Sequence, residues 1–254
     1  MTSTDGQTQV ARRSVVQSVT RAFDILNLLR DTASPMSVQE IARSSGLDRT
    51  VVHRLLRSLL HQSMVVEERG LFRLGPAPIL LANRYLDDLL VRRLALPYMV
   101  ELQANDIADQ PWTATLSVAV GDVSAVIERI WTPKTPLDLV LSIGDTFPMH
   151  TTATGRSMLA YYDTARLAQT IGNKRAEELA PVLEDVRAAG GVGTSKGEAV
   201  PGVEAIAAVI LSRRKVPVAA VSVSGVDLGD QMDVVSPLAS TLRRAAGAIG
   251  QMLP

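Results

Sequence analysis

Residues 37–60 read SVQEIARSSGLDRTVVHRLLRSLL, and the punctuation of that stretch decides the fold of the first third of the chain. Ser37 followed three residues later by Glu40 is a capping box, in which the serine oxygen accepts from an orphan amide and the glutamate reaches back. Ile41 and Ala42 open a buried face, and Gly46 supplies the left-handed residue that ends this helix after about eight residues. Asp48 caps the next helix, predicted to run to about Leu60. A helix, a short turn holding a glycine and a second helix form a helix-turn-helix.

Working outward, Ala22, Ile25, Leu26 and Leu29 recur at helical spacing before Pro35 breaks the chain, which predicts a first helix packed on the other two. Downstream, Val65 and Val66 form a short strand, Glu67 to Gly70 a tight turn and Leu71 to Leu74 a returning strand, a hairpin that serves as a wing. The helix after Asp48 is then tested by angle, at about 100° per residue. Val51, Val52, Leu55, Leu56, Leu59 and Leu60 gather on one arc. Arg49, Thr50, His53, Arg54 and Arg57 gather on the other, and no acid interrupts them. A solvated surface is the ordinary reading of a charged face. A capped helix-turn-helix beside a wing favours another, because a major groove admits one helix and arginine bonds bidentately to guanine. The candidate contacts to a double-stranded DNA operator are Ser37, Gln39, Arg49, Thr50, His53, Arg54, Arg57 and Arg69. Arg69, at the hairpin tip, suits the backbone or minor groove, whereas Arg73 covers apolar surface.

Charge agrees with that division. The 254 residues carry 26 basic and 26 acidic side chains, a formal net charge of zero, yet residues 1–75 carry +3 and the remainder −3. With 46% apolar and 20% charged residues, collagen and wholesale disorder are excluded. Cysteine is absent, which removes disulfides, thiolate metal sites and cysteine nucleophiles. Residues 1–14 lack the apolar core of a secretory signal and are expected to form a disordered arm. No apolar run approaches the roughly 20 residues of a membrane span, and a cytoplasmic protein is expected.

The domain expectation is an arm at 1–14, a winged helix-turn-helix at 15–75, a helical linker at 76–104 and an α+β body at 105–254. Ile79, Leu80, Asn83, Leu86, Leu89 and Leu90 give the linker an apolar stripe suited to dimer contact, with Pro97 dividing it into two helices. In the body, strands are predicted at 113–120, 124–131, 137–141, 203–210 and 216–224, and helices at 154–162, 165–172, 177–189 and 234–252. Hairpins that keep returning suggest an antiparallel sheet carrying helices.

Chemistry in the body is sparse. His150, the only histidine there, beside Thr151, Thr152 and Thr154, reads as structural. No residues stand at metal-ligand spacing. Gly190, Gly191, Gly193 and Gly197 with Lys196 lack the strand, spacing and following helix of a phosphate loop and read as a flexible loop. No catalytic residue, metal or cofactor is expected. A pocket recipe does remain: a helix start at Ala153 to Gly155, whose amides suit an anion, and Ser222 and Ser224 two apart on one strand face.

The whole chain resembles the IclR family of bacterial transcription regulators. The resemblance lies in Arg21 to Leu74, including His53-Arg54-Leu55-Leu56 and Phe72-Arg73-Leu74-Gly75. It continues in Gly144 to Ala160, GDTFPMHTTATGRSMLA, and in Glu198 to Gly225, including Gly202-Val203, Ala207-Ala208 and Val221-Ser222-Val223-Ser224-Gly225. It implies an N-terminal winged helix-turn-helix, a helical linker and a C-terminal antiparallel-sheet effector domain of the GAF/profilin-like kind, assembled as a homodimer or homotetramer. It also implies a small organic acid or aromatic metabolite as effector, held by Leu139, Phe147, Ala153, Thr154, Ser195, Glu198, Val203, Ala205, Ser222 and Ser224. Two positions depart from the family pattern. Ser195 stands where acid-sensing relatives can carry aspartate and Ala205 where many carry cysteine, which points to a larger or more apolar ligand, an aromatic acid or amide. Ser63 and Met64 replace the usual Gly and Tyr before the wing. The expected function is a transcriptional regulator, a repressor rather than an activator, switched by that effector. The alternatives are an effector-independent architectural DNA binder and an enzyme with a regulatory DNA-binding head.

Overall fold

The computed structural model describes residues 15–104, 111–131, 133–136 and 140–254. The arm expected at 1–14 therefore lies outside the described residues. The chain divides into two compact units, Met1–Tyr85 and Leu86–Pro254.

In the first unit, α1 (Gln17–Asp31), α2 (Val38–Ser45) and α3 (Arg49–His61) pack around Ile25, Leu29, Ile41, Val52, Leu56 and Leu59. Each start is chemically fixed. The Ser37 amide donates to Glu40 Oε2 at 2.8 Å and the Glu40 amide to Ser37 Oγ at 3.3 Å, Gly46 takes φ 67°, and the Thr50 amide donates to Asp48 Oδ1 at 2.8 Å. The wing is longer than expected: β2 (Val65–Glu68) and β3 (Leu71–Leu74) pair directly, and only Arg69 and Gly70 turn. Both have positive φ, 54° and 80°, as a two-residue turn matching the strand twist requires. A third strand, β1 (Met36–Ser37), joins β3. Its two residues are too few to read from the sequence.

Two linker expectations are corrected. The helix breaks at Leu89, giving α4 (Ala77–Asp88) and α5 (Leu90–Ala104), and Pro97 sits inside α5. Pro97 is exposed, as is Arg93, whose carbonyl it leaves without a donor, so water can take that acceptor. Leu86 and Leu89 are half-buried against the core of the second unit.

That core lies on one face of a six-stranded antiparallel sheet of order β6-β5-β4-β9-β8-β7. Its strands are β4 (Trp112–Val120), β5 (Val123–Trp131), β6 (Thr146–Pro148), β7 (Val192–Lys196), β8 (Glu204–Leu211) and β9 (Pro217–Gly225). Residues 137–139 of the strand expected at 137–141 lie outside the described residues, and Val140 and Leu141 are not in a strand. The flexible loop expected around Gly193 is instead the strand β7, whose pairing comes entirely from β8. Alternation sorts the two faces. Ala114, Leu116, Ile206, Ile210, Val221 and Val223 pack beneath α5 and α9 (Pro237–Met252). The opposite face carries α6 (Ala153–Leu159), α7 (Thr164–Ile171) and α8 (Asn173–Ala188), where Met158, Leu159, Leu183 and Val186 form a second core. α6 lies very close to the preceding turn: a Cβ at Gly155 would come within 2.1 Å of the Met149 carbonyl oxygen, so only glycine fits.

Candidate nucleic-acid interface and ligand cavity

On α3 the apolar arc is buried at Val52, Leu56 and Leu59, while Arg49, Thr50, His53, Arg54 and Arg57 are all exposed. Arg49, His53 and Arg57, one turn apart, line a shallow depression with Ser37, Gln39 and the wing residues Glu67 and Gly70. Thr50 and Arg54 lie on the flank of the same helix. Sequence reading missed Glu67, a carboxylate that keeps phosphate away from the hairpin side of the depression. Arg69 is exposed at the wing tip, and Arg73 pairs with Glu68 at 3.7 Å.

The second site is a cavity of about 100 Å³ on the α6 face of the large sheet. Phe147, Ala153, Thr154, Ser195, Val203, Ala205, Ser222 and Ser224 all line it. Leu139 lies outside the described residues. Glu198 is not part of the lining: its carboxylate accepts from Arg156 Nη1 at 3.0 Å and from the Lys196 amide. Burial opposes the charge on Glu198, but the Lys196 amide and the Arg156 guanidinium more than offset it and hold the acid below its usual range. The segment 197–203, pinned in this way, contributes Ala199, Val200 and Val203 to the wall.

Eight lining residues went unread: Thr115 and Ser117 on β4, Ser124 and Val126 on β5, Leu141, Thr152 before α6, and Ala199 and Val200 in the segment 197–203. The signal was present as alternating hydroxyls along β4. Register brings Thr115 opposite Ser222 and Ala205 opposite both Ser224 and Ser195, and directly paired residues share a face. Two hydroxyl pairs result, Thr115 Oγ1 to Ser222 Oγ at 2.7 Å and Ser124 Oγ to Thr154 Oγ1 at 2.9 Å. The anion-binding helix start expected at Ala153 is weaker than expected, because α6 has only seven residues and the Gly155 amide already donates to Thr152 Oγ1 at 3.0 Å. His150 contributes its carbonyl, which accepts from Arg156 Nε at 2.9 Å. Among the described residues no cluster of three or more potential ligands could hold a metal ion, and no helix is long and apolar enough to cross a membrane.

Comparison with known proteins follows the same division. The family model for the IclR helix-turn-helix domain matches residues 18–69, and the model for the C-terminal domain of the bacterial transcriptional regulator IclR matches residues 83–251. The glycerol operon regulatory protein of Streptomyces coelicolor is 28% identical over 221 residues, 83% of this chain and 85% of that protein. The transcriptional repressor IclR of Escherichia coli is 25% identical over 226 residues, 83% of this chain and 80% of its own. In structure, an IclR homologue from Microbacterium hydrocarbonoxydans, complexed with 4-hydroxybenzoate, superposes with a TM-score of 0.72 at 21% identity, covering 92% of this chain and 97% of that one.

Proposed function

The chain belongs to the IclR family of bacterial transcriptional regulators, and from that premise we propose that it represses its target genes until a small organic molecule occupies the cavity beneath α6. It is a DNA-binding regulator; repression and ligand control are the finer reading. Two or four copies present paired α3 helices to successive major grooves of a two-fold operator. A ligand shifts operator affinity only by its differential affinity for the bound and free arrangements, typically about 1–3 kcal/mol. Support for repression comes from the E. coli relative, named a repressor. Ligand control is supported by a cavity built of side chains that pack no core, and by the Microbacterium homologue, complexed with 4-hydroxybenzoate.

The observation that carries the reading is the exposed row Arg49, His53 and Arg57 on a helix capped at its start. Mobility-shift titration against operator and scrambled duplex tests it. Arg49→Ala and Arg57→Ala are each expected to cost about 1–3 kcal/mol at the operator, with Arg69→Ala weakening both duplexes alike. Unchanged affinity in all three variants would remove α3 from the interface.

A further inference from the structure

The lining of the cavity says more about the ligand than its position does. Among the described lining residues none carries a charge, and eight of the sixteen carry a hydroxyl. The hydroxyls of Ser117, Ser195 and Ser224 have no hydrogen-bond partner among the described residues; Ser117 and Ser195 are 2% and 6% exposed. The two hydroxyl pairs keep further capacity, since only one member of each donates to the other. None of these three oxygens is shut away as an unsatisfied buried atom; they open onto the cavity they line, where a guest can both donate to them and accept from them.

Among the described residues, the cations on α6 and on the strands that line the cavity, Arg156, Lys196 and Arg129, are already engaged. Arg156 binds Glu198 at 3.0 Å and Lys196 binds Glu204 at 2.7 Å. Arg129 donates to the Leu141 carbonyl and stacks over Trp131 at 5.3 Å. The residues of this unit outside the described set, 105–110, 132 and 137–139, include no Arg, Lys or His. A carboxylate in the cavity would be a buried charge without a counter-ion, which is strongly disfavoured. A hydroxyl wall both donates and accepts, whereas a carboxylate only accepts.

Resting on the reading of this cavity as the effector site, we infer that the ligand is an uncharged, hydroxyl-bearing molecule, a polyol or its amide counterpart, and not an organic acid. The inference departs from the organic acid effector that the family resemblance implies.

Isothermal titration calorimetry on the full chain, purified without polyol additives, tests it with isosteric pairs differing in charge. These are glyceramide against glycerate and benzamide against benzoate, with glycerol and erythritol alongside. Saturable binding of glycerol, erythritol or glyceramide at least about tenfold tighter than glycerate is expected, as is a loss of about three- to tenfold in each of Ser117→Ala and Ser224→Ala. Circular dichroism melts confirm that the variants are folded. Glycerate or benzoate binding as tightly as its uncharged partner overturns the inference. If that binding is also weakened by Ser224→Ala, the effector cavity stands and only its ligand class falls. Uncharged ligands that bind equally well to both variants, or a panel in which no compound binds, overturn the inference and the effector cavity together.

Discussion

Arg69 sits at the tip of the wing with φ 54°, a conformation that costs a residue with a Cβ about 1–2 kcal/mol. Asparagine tolerates it better, so Arg69→Asn is expected to raise the melting temperature while weakening binding to operator and scrambled duplex alike. A lower melting temperature in that variant would mean that the guanidinium stabilises the fold. Gly155→Ala is expected to be severe, because the Met149 backbone cannot yield to the new Cβ; soluble protein melting within a few degrees of the wild type would refute that packing. His150 is held below its ordinary value because partial burial opposes its charge and Arg175 and Arg156 repel it. As pH falls, the unfolded chain therefore binds that proton first, and stability drops below about pH 6.5. Melts at pH 7.5 and 5.5 should differ less in His150→Gln than in the wild type. At this scale the candidate site was half legible. Ser222 and Ser224 declare themselves by strand alternation and Thr115 and Ser117 carry the same signal, but that these two strands lie side by side is settled only by pairing between distant stretches of chain.

Helix ends in the first unit were readable because their causes are local. Asp48, Gly46 and the Ser37–Glu40 box act within four residues of themselves, and each does what its chemistry dictates. Asp48→Ala is expected to cost about 1 kcal/mol and to fray the turn that carries Arg49, so that thermal stability and operator affinity fall together in melts and mobility shifts. Loss of affinity with no thermal change would instead make Asp48 a direct contact. The strands that escaped notice are held by partners far along the chain. β7 reads Val-Gly-Thr-Ser-Lys and has no strand pattern of its own; it exists because β8 offers an unpaired edge. Pro97 misled for a related reason, since whether a proline breaks a helix depends on which side of it faces water.

Across the whole molecule, the second unit has two cores on the two faces of one sheet, and a hydroxyl-bearing stretch between α6 and that sheet is left unfilled. Leu86 of α4 packs against the core beneath α5 and α9, but four other apolar residues of the helix stay open: Ile79, Leu80, Leu81 and Tyr85 are 60%, 73%, 66% and 55% exposed. If copies associate through this helix, Ile79→Glu with Leu80→Glu should lower the sedimentation coefficient and reduce binding to a two-fold operator far more than to a half-site. An unaltered coefficient would place the contact elsewhere. Finally, the Arg156–Glu198 pin over residues 197–203 bears on timing. If a ligand occupies the cavity, a wall fastened in this way would slow its departure, so the response would outlast the stimulus. Because salt weakens such pairs, that persistence should shorten as ionic strength rises.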